Sequence, residues 1–301
     1  MSAFPRDNYL DFLRRVTDRD LVRIITGVRR CGKSTLLELY REDLVRGGVD
    51  PQQILTINFE EAANDKLRDP ENFLGYVLEQ HESKGVQYLH VDEVQELDDW
   101  SRVINSLRVN PGMEICVTGS NATMFSGESL TYLAGRYIEL HMLPLSLAEF
   151  RRFRKDSESI EKSYREWMRI GGFPAAVLAW DPDITDQINS GLFDSIFTRD
   201  IATRGQIRDT EVFLRVARFI FDNTGSPLST NRISNHLKSQ GYSSSPESVD
   251  RYLALMEDAH LIYRCPRFDT QGKQWLKTNG KYYFVDPGLR TALLGSRDVN
   301  R

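Results

Sequence analysis

Two rhythms of apolar positions alternate along the first half of the chain. Short, mostly apolar runs read as strands: "LVRIITG" (21–27), "QILTINF" (53–59), "VQYLHVDE" (86–93), "MEICVTGSN" (113–121) and "RYIELHML" (136–143). Between them lie stretches of helical period, "STLLELYREDLV" (34–45), "PENFLGYVLEQHESKG" (70–85) and "DDWSRVINSLRV" (98–109). The second of these opens on Pro and closes on Gly, as helices do. The third has Asp98 or Asp99 in place to cap it. Strands alternating with helices predict an α/β core, a parallel sheet between helices, over residues 1–145.

The rhythm changes after Ser146. Residues 146–224 carry helical patterns only, and "NTGSPLS" (223–229) marks a break. Residues 225–301 then read as a short helix, a longer helix from "SPESVDRYLALMEDAHLI" and two strands, "YRCPRF" and "KYYFVD", joined by a polar loop. Helix, helix and hairpin predict a winged helix-turn-helix. In the longer helix Ser245 is the expected cap, with Pro246 in the first turn. Val249, Leu253, Met256 and Leu261 are the expected core, and Ser244, Ser248 and Arg251 the exposed face.

The most informative stretch lies at the first strand-to-helix junction. "GVRRCGKST" fits G-x-x-x-x-G-K-[ST], and it sits between a predicted strand and a predicted helix, the setting a phosphate loop requires. Glycines let the backbone curl with its N–H groups inward, and the helix adds the positive end of its dipole. The expected nucleotide-binding residues are therefore Gly27, Val28, Arg29, Arg30, Cys31, Gly32, Lys33, Ser34 and Thr35. Lys33 would reach the outer phosphates, Ser34 would ligate Mg²⁺ and Thr35 would lie near the inner phosphate.

A phosphate loop calls for acidic partners on a neighbouring strand. "YLHVDE" supplies Asp92, to hold Mg²⁺, and Glu93, to orient or deprotonate the attacking water. Asn121, past "CVTGS", is placed by open-sheet topology where it would sense the γ-phosphate. His90 interrupts an apolar strand and is expected to be a hydrogen-bonded core residue. Cys31 lies just before a helix N-terminus, where a thiol can become reactive. A small inert residue that fits the turn is the favoured expectation.

Composition changes this picture little. The 301 residues are 40% hydrophobic and 27% charged, with net charge −4, as in ordinary globular proteins. No apolar run approaches the ~20 residues of a membrane span, and no secretory signal is apparent. The three cysteines lack CxxC spacing, which argues against a disulfide framework or a zinc site and for a reducing cytoplasm. Residues 225–301 hold 11 Lys and Arg against 7 Asp and Glu, a mild excess that would suit a nucleic-acid backbone. Lys238, Lys273, Lys277 and Lys281 are the candidates for phosphate contact, although Glu247, Asp250, Glu257 and Asp258 on the longer helix oppose it. No N-K-x-D motif for reading guanine occurs.

Together "GVRRCGKST", "YLHVDEVQEL", "VTGSNA", "LAGRYIELHMLPLSLAEF" and "GGFPAAV" resemble an uncharacterised prokaryotic family of AAA+-type P-loop ATPases. Its members join an ATPase core to a C-terminal domain of unknown function. "FTRDIATRGQIRD" and the segment from Ser229 to Gly295 carry the likeness onward. The resemblance implies a Walker A pair at Lys33 and Ser34, a Walker B pair at Asp92 and Glu93, and a sensor at Asn121. It implies a recurrent arginine at Arg136 that approaches the γ-phosphate, within the chain or on a neighbouring subunit. Arg199 and Arg204 are weak sensor candidates. Members often continue into a nuclease-like segment that would begin about where "GSRDVNR" stands, so the resemblance assigns no nuclease site to these residues. The expected function is an ATPase with ATP and Mg²⁺ as cofactors, coupling nucleotide state to domain rearrangement. The alternative is a nucleotide-gated binding module without turnover. Expected partners are double-stranded DNA or a protein at the winged helix, with oligomers allowed and no membrane.

Overall fold

The apolar runs become five parallel strands in a computed structural model that describes residues 4–17, 19–122, 131–155, 157–207, 209–269, 272 and 274–295. The side chains of residues 204, 269 and 274–279 fall outside the description. The strands are β1 (Val22–Thr26), β2 (Ile54–Asn58), β3 (Tyr88–Asp92), β4 (Glu114–Gly119) and β5 (Tyr137–His141), in the order β2-β3-β4-β1-β5. Each pair is parallel. Helices α1 (Asp7–Arg15), α2 (Lys33–Arg46), α3 (Pro70–Lys84) and α4 (Trp100–Val109) accompany the strands. β1 is buried at every position, as expected of a strand covered on both faces.

Local chemistry sets the ends of these helices. Asp69 caps α3 by accepting from the N–H groups of Glu71 and Asn72, Pro70 opens the helix, and Gly85 closes it in the left-handed region at φ 69°. At α4 the expected cap is absent. Asp99 precedes the helix at φ 53° without capping it, and its carboxylate pairs with Arg102 at 2.7 Å. The core joins Val22, Ile24, Val91 and Val117 of the sheet to Phe73, Val77, Ile104 and Leu107 of the helices. Each such side chain contributes roughly 1.5–3 kcal/mol on burial.

His90 is fully buried in that sheet, but it is not the hydrogen-bonded residue expected. Neither ring nitrogen has a hydrogen-bond partner. The ring stacks on Tyr40 of α2 with centroids 5.4 Å apart. Burial, with Arg23 and Arg41 adding to it, pushes its pKa from an ordinary 6.5 down to about 3. The folded state therefore refuses a proton that the unfolded chain accepts. Stability is unaffected above pH 6.5 and falls by up to about 1.4 kcal/mol per pH unit from there toward pH 3. Denaturant midpoints at pH 7 and pH 5 are expected to differ less in His90→Phe than in the parent.

The chain divides into two compact units, residues 1–27 with 32–142, and residues 28–31 with 143–301. The second unit holds the segments 146–224 and 225–301. Its helices are α5 (Leu147–Arg154), α6 (Ile160–Ile170), α7 (Pro174–Val177), α8 (Pro182–Ser195), α9 (Thr203–Gly205), α10 (Thr210–Asp222), α11 (Thr230–Ser239), α12 (Pro246–Asp258) and α13 (Pro287–Leu294). A π-helical stretch, Ile196–Ala202, joins α8 to α9. Strands β6 (Ile262–Asp269) and β7 (Gln274–Phe284) form an antiparallel hairpin. Residues 225–228 run along the other side of β7, with Gly225 N–H on Tyr282 O and Leu228 N–H on Gly280 O, both at 3.0 Å.

The "GG" of "GGFPAAV" has a packing reason. Asp286 is buried, accepts from Gly172 N–H at 2.5 Å, and caps α13 through Gly288 and Leu289. Burial pushes its pKa up to about 6 against the pull of these three N–H groups. A Cβ on Gly172 would strike the carbonyl oxygen of Leu145, and one on Gly171 the Asp286 carboxylate. The Leu145 backbone cannot retreat without disturbing its own N–H bond to Gly172 O of 2.7 Å, and the Asp286 carboxylate cannot without losing Gly172 N–H. Gly172→Ala is expected to cost about 3 kcal/mol or more, measured as a lowered denaturant midpoint.

In α12 the Ser245 hydroxyl caps the helix by accepting from Ser248 N–H at 3.2 Å. Val249, Leu253, Met256 and Leu261 are buried. Of the three residues expected on the exposed face, Ser248 and Arg251 are exposed and Ser244 is not. Ser244 is buried, its carbonyl accepting from the Ser234 hydroxyl at 2.9 Å. The Arg251 guanidinium donates to the Gly205 carbonyl. Lys238 and Lys281 are exposed, whereas Lys273 and the side chains of Lys277 and Arg204 lie outside the described residues. Among the described residues no helix is long and apolar enough to cross a membrane.

Candidate functional site

The first strand-to-helix junction is built around three left-handed or glycine-only conformations. Gly27 leaves β1 at φ 143°, Arg30 turns at φ 67°, and Gly32 enters α2 at φ 108°. A Cβ is strained in the left-handed region, so Gly at both ends lets the loop curl sharply. Gly32 offers no side-chain cap, and the first turn of α2 carries no acidic residue. The amide groups that open α2 thus face outward with a partial positive charge. Lys33 is only 4% exposed, and its Nζ donates to the Gly27 carbonyl at 2.9 Å, bracing the curl from within. Ser34 and Thr35 are exposed on the first turn of α2.

The acidic pair comes from the end of β3, with β4 lying between it and β1. Residues at the tip of β4 therefore stand between the loop and the acids. Thr118 there bridges both: its hydroxyl donates to Asp92 Oδ1 and accepts from Glu93 N–H at 3.0 Å. Asp92 is 3% exposed, and its Oδ2 has no hydrogen-bond partner. Burial pushes the Asp92 pKa up, and the nearby hydroxyls of Thr118 and Ser34 and the Lys33 ammonium oppose that shift. Glu93 turns at φ 55°. Its Oε2 accepts from the Ser120 hydroxyl at 3.2 Å and from the Gln95 amide. Asn121 is buried two residues past β4.

At the end of β5, His141 Nδ1 lies 3.0 Å from the hydroxyl of Thr26, the last residue of β1. Burial, the largest influence, lowers its pKa, and Lys33 acts in the same direction.

Thr118, Ser120 and Gln95 are the site residues that the sequence did not single out. A threonine inside a strand looks ordinary, and only pairing across β3 and β4 reveals the bridge. Thr118→Val keeps the shape and strips both bonds. Leaving Asp92 Oδ1 and the Glu93 amide without partners is expected to cost about 2 kcal/mol or more, read from the denaturant midpoint.

Arg136 does not join this group within the chain. It precedes β5, is exposed, and its carbonyl accepts from Val22 N–H at 2.9 Å. Val22 starts β1 and the loop begins at the other end, so roughly 16 Å of strand separates them. Cys31 is fully buried, which fits the inert packing role better than reactivity. Arg199 is exposed.

Held together by the fold are a curled loop rich in backbone amides, a buried ammonium, a hydroxyl on the first helical turn and two carboxylates. An unpartnered Asp92 oxygen beside Ser34 fits a hard cation, which prefers oxygen ligands. The amides and Lys33 fit the phosphates such a cation would accompany.

Residues 19–151 match the family described as AAA domain, and residues 161–300 match the family described as Domain of unknown function (DUF8612). An uncharacterized protein of Haemophilus influenzae is 40% identical over 303 residues, covering 99% of this chain and 76% of that protein. The chain belongs to this family of AAA-domain proteins with a C-terminal domain of unknown function. The uncharacterized protein MJ1544 of Methanocaldococcus jannaschii is 27% identical over 295 residues, 93% of this chain and 64% of that one. The chain thus spans about three quarters of the first relative and under two thirds of the second. Among solved structures, Cdc6p from Pyrobaculum aerophilum is similar at 12% identity and a TM-score of 0.44, covering 97% of this chain and 96% of that one. The AAA domain supports nucleotide-dependent activity in the family.

Proposed function

We propose that this chain is a Mg²⁺-dependent ATPase that couples its nucleotide state to domain rearrangement. The supporting observation is the Asp92 carboxylate: buried, fixed on one oxygen by Thr118, and open on the other beside Ser34 and Lys33. In this role the backbone amides of residues 27–35 cradle the phosphates, and the side chain of Lys33 reaches the outer ones. Thr35 lies near the inner phosphate, and Ser34 and Asp92 hold the metal. Bound there, Mg²⁺ supplies neutralisation of the phosphate charge. Glu93 orients or deprotonates the attacking water through the carboxylate that Ser120 and Gln95 steady, and Asn121 senses the γ-phosphate from between the loop and the acids. Arg136 is left with a role toward a neighbouring subunit, because its own loop is at the far end of the strand.

The second unit is proposed to end in a winged helix. Helix α10, the strand-like run 225–228, α11, α12 and the β6–β7 hairpin follow one another in the order such a domain requires. The burial of Ser244 and the bond from Arg251 to the Gly205 carbonyl leave α12 fewer free groups for reading DNA. Lys238 and Lys281 remain available to a phosphate backbone.

Calorimetry with ATP, with and without Mg²⁺, and turnover with and without duplex DNA test these proposals. Micromolar Mg²⁺-dependent uptake with turnover is expected. Uptake without turnover would leave a nucleotide-gated binding module, and no uptake would end both. Stimulation by duplex DNA would restore DNA as the partner.

A further inference from the structure

Residues 28–31, the outer arc of the phosphate loop, cluster with the second unit, and one contact there is unlike the others. Arg29 donates from Nε to Asp200 Oδ2 at 3.0 Å and from Nη2 to Asp200 Oδ1 at 3.3 Å. The two side chains are 9% and 1% exposed. A planar guanidinium gripped at two points is fixed in orientation as well as in distance. Asp200 lies in the π-helical stretch Ile196–Ala202, a backbone form that costs stability and recurs at functional sites.

A buried ion pair is weak evidence for stability, because dehydration offsets most of its attraction. Position is what it supplies here. The arc between Gly27 and Gly32 contains Arg30 at φ 67°, and its curl depends on side-chain anchors. Lys33 fastens the Gly27 end, and Arg29 fastens the middle.

We propose that Asp200 is a positioning residue of the phosphate loop, holding residues 28–31 through Arg29 in the form that accepts phosphates. This role rests on the ATP-binding function proposed above. It makes nucleotide affinity depend on a carboxylate 171 residues away in sequence. Linkage is reciprocal, so nucleotide uptake at the loop must steady the Asp200 segment in turn.

The test uses the full chain, its Asp200→Asn and Arg29→Gln variants and the double variant. Asp200→Asn is expected to weaken ATP binding by about tenfold, with turnover at saturating ATP within about twofold of the parent. The double variant is expected to bind no worse than the weaker single variant, since both changes break one contact. Unchanged affinity in Asp200→Asn, or losses that multiply in the double variant, would overturn the proposal. Should the variants fail to fold, hydrogen exchange of the parent decides. ATP is expected to slow exchange in residues 196–205 as well as in the loop, and slowing in the loop alone would refute the role. A parent that takes up no ATP removes the binding function itself, whereas uptake with an indifferent Asp200 removes only this coupling.

Discussion

Glu93→Gln is expected to keep ATP binding within about twofold of the parent and to lower turnover by ~10²-fold or more, the scale of general-base catalysis. The substitution is nearly isosteric. Glu93 Oε2 accepts from Ser120 and Gln95, and the amide oxygen of glutamine can accept from one of them in the same place. The backbone turn at φ 55° and the hydrogen bond from Glu93 N–H to the Thr118 hydroxyl are untouched. What disappears is the capacity to take a proton from water. Loss in kcat with KM unchanged is therefore the signature of a group used in the transition state alone. Equal turnover in parent and variant would remove Glu93 from the chemistry. If that shared rate were no faster than the buffer, the nucleotide-gated module would be the better description.

The two ends of the strands differ in how much of their chemistry could be read from sequence. Five apolar runs, most of them closed by Gly, small polar or acidic residues, announced the strands. The loop from Gly27 to Thr35 and the pair Asp92 and Glu93 were legible because each is a contiguous run with its chemistry in adjacent letters. Thr118 was not, since its role exists only across two paired strands. Arg136 shows the opposite lesson. A residue that precedes a strand in a parallel sheet must lie at the amino edge, away from the phosphate loop, and strand direction alone carries that information. The pairing of Arg29 with Asp200 spans too much sequence for any local signal. His90 was legible as core but not as a ring stacked on Tyr40 without hydrogen bonds. Helix α1 went unseen because it buries only Leu10 and Leu13 among nine mostly polar residues.

Lys33→Met gives the sharpest contrast between binding and folding. The ammonium is almost fully buried and braces the Gly27 carbonyl. Methionine keeps most of the length and removes the charge. Losing one partner of a buried charge pair with the phosphates is expected to weaken ATP binding by about 10²-fold. Stability without nucleotide should change little, because the dehydration cost that an apolar thioether spares offsets the lost bond to the Gly27 carbonyl. Thermal unfolding with and without ATP separates the two effects. The parent should gain about 2.7 kcal/mol when ATP stands at 100 times its Kd, and the variant should gain almost nothing at the same concentration. A variant that melts well below the parent without nucleotide would instead mark Lys33 as a structural strut. One that keeps the full ATP-induced shift would show that the phosphates lie elsewhere.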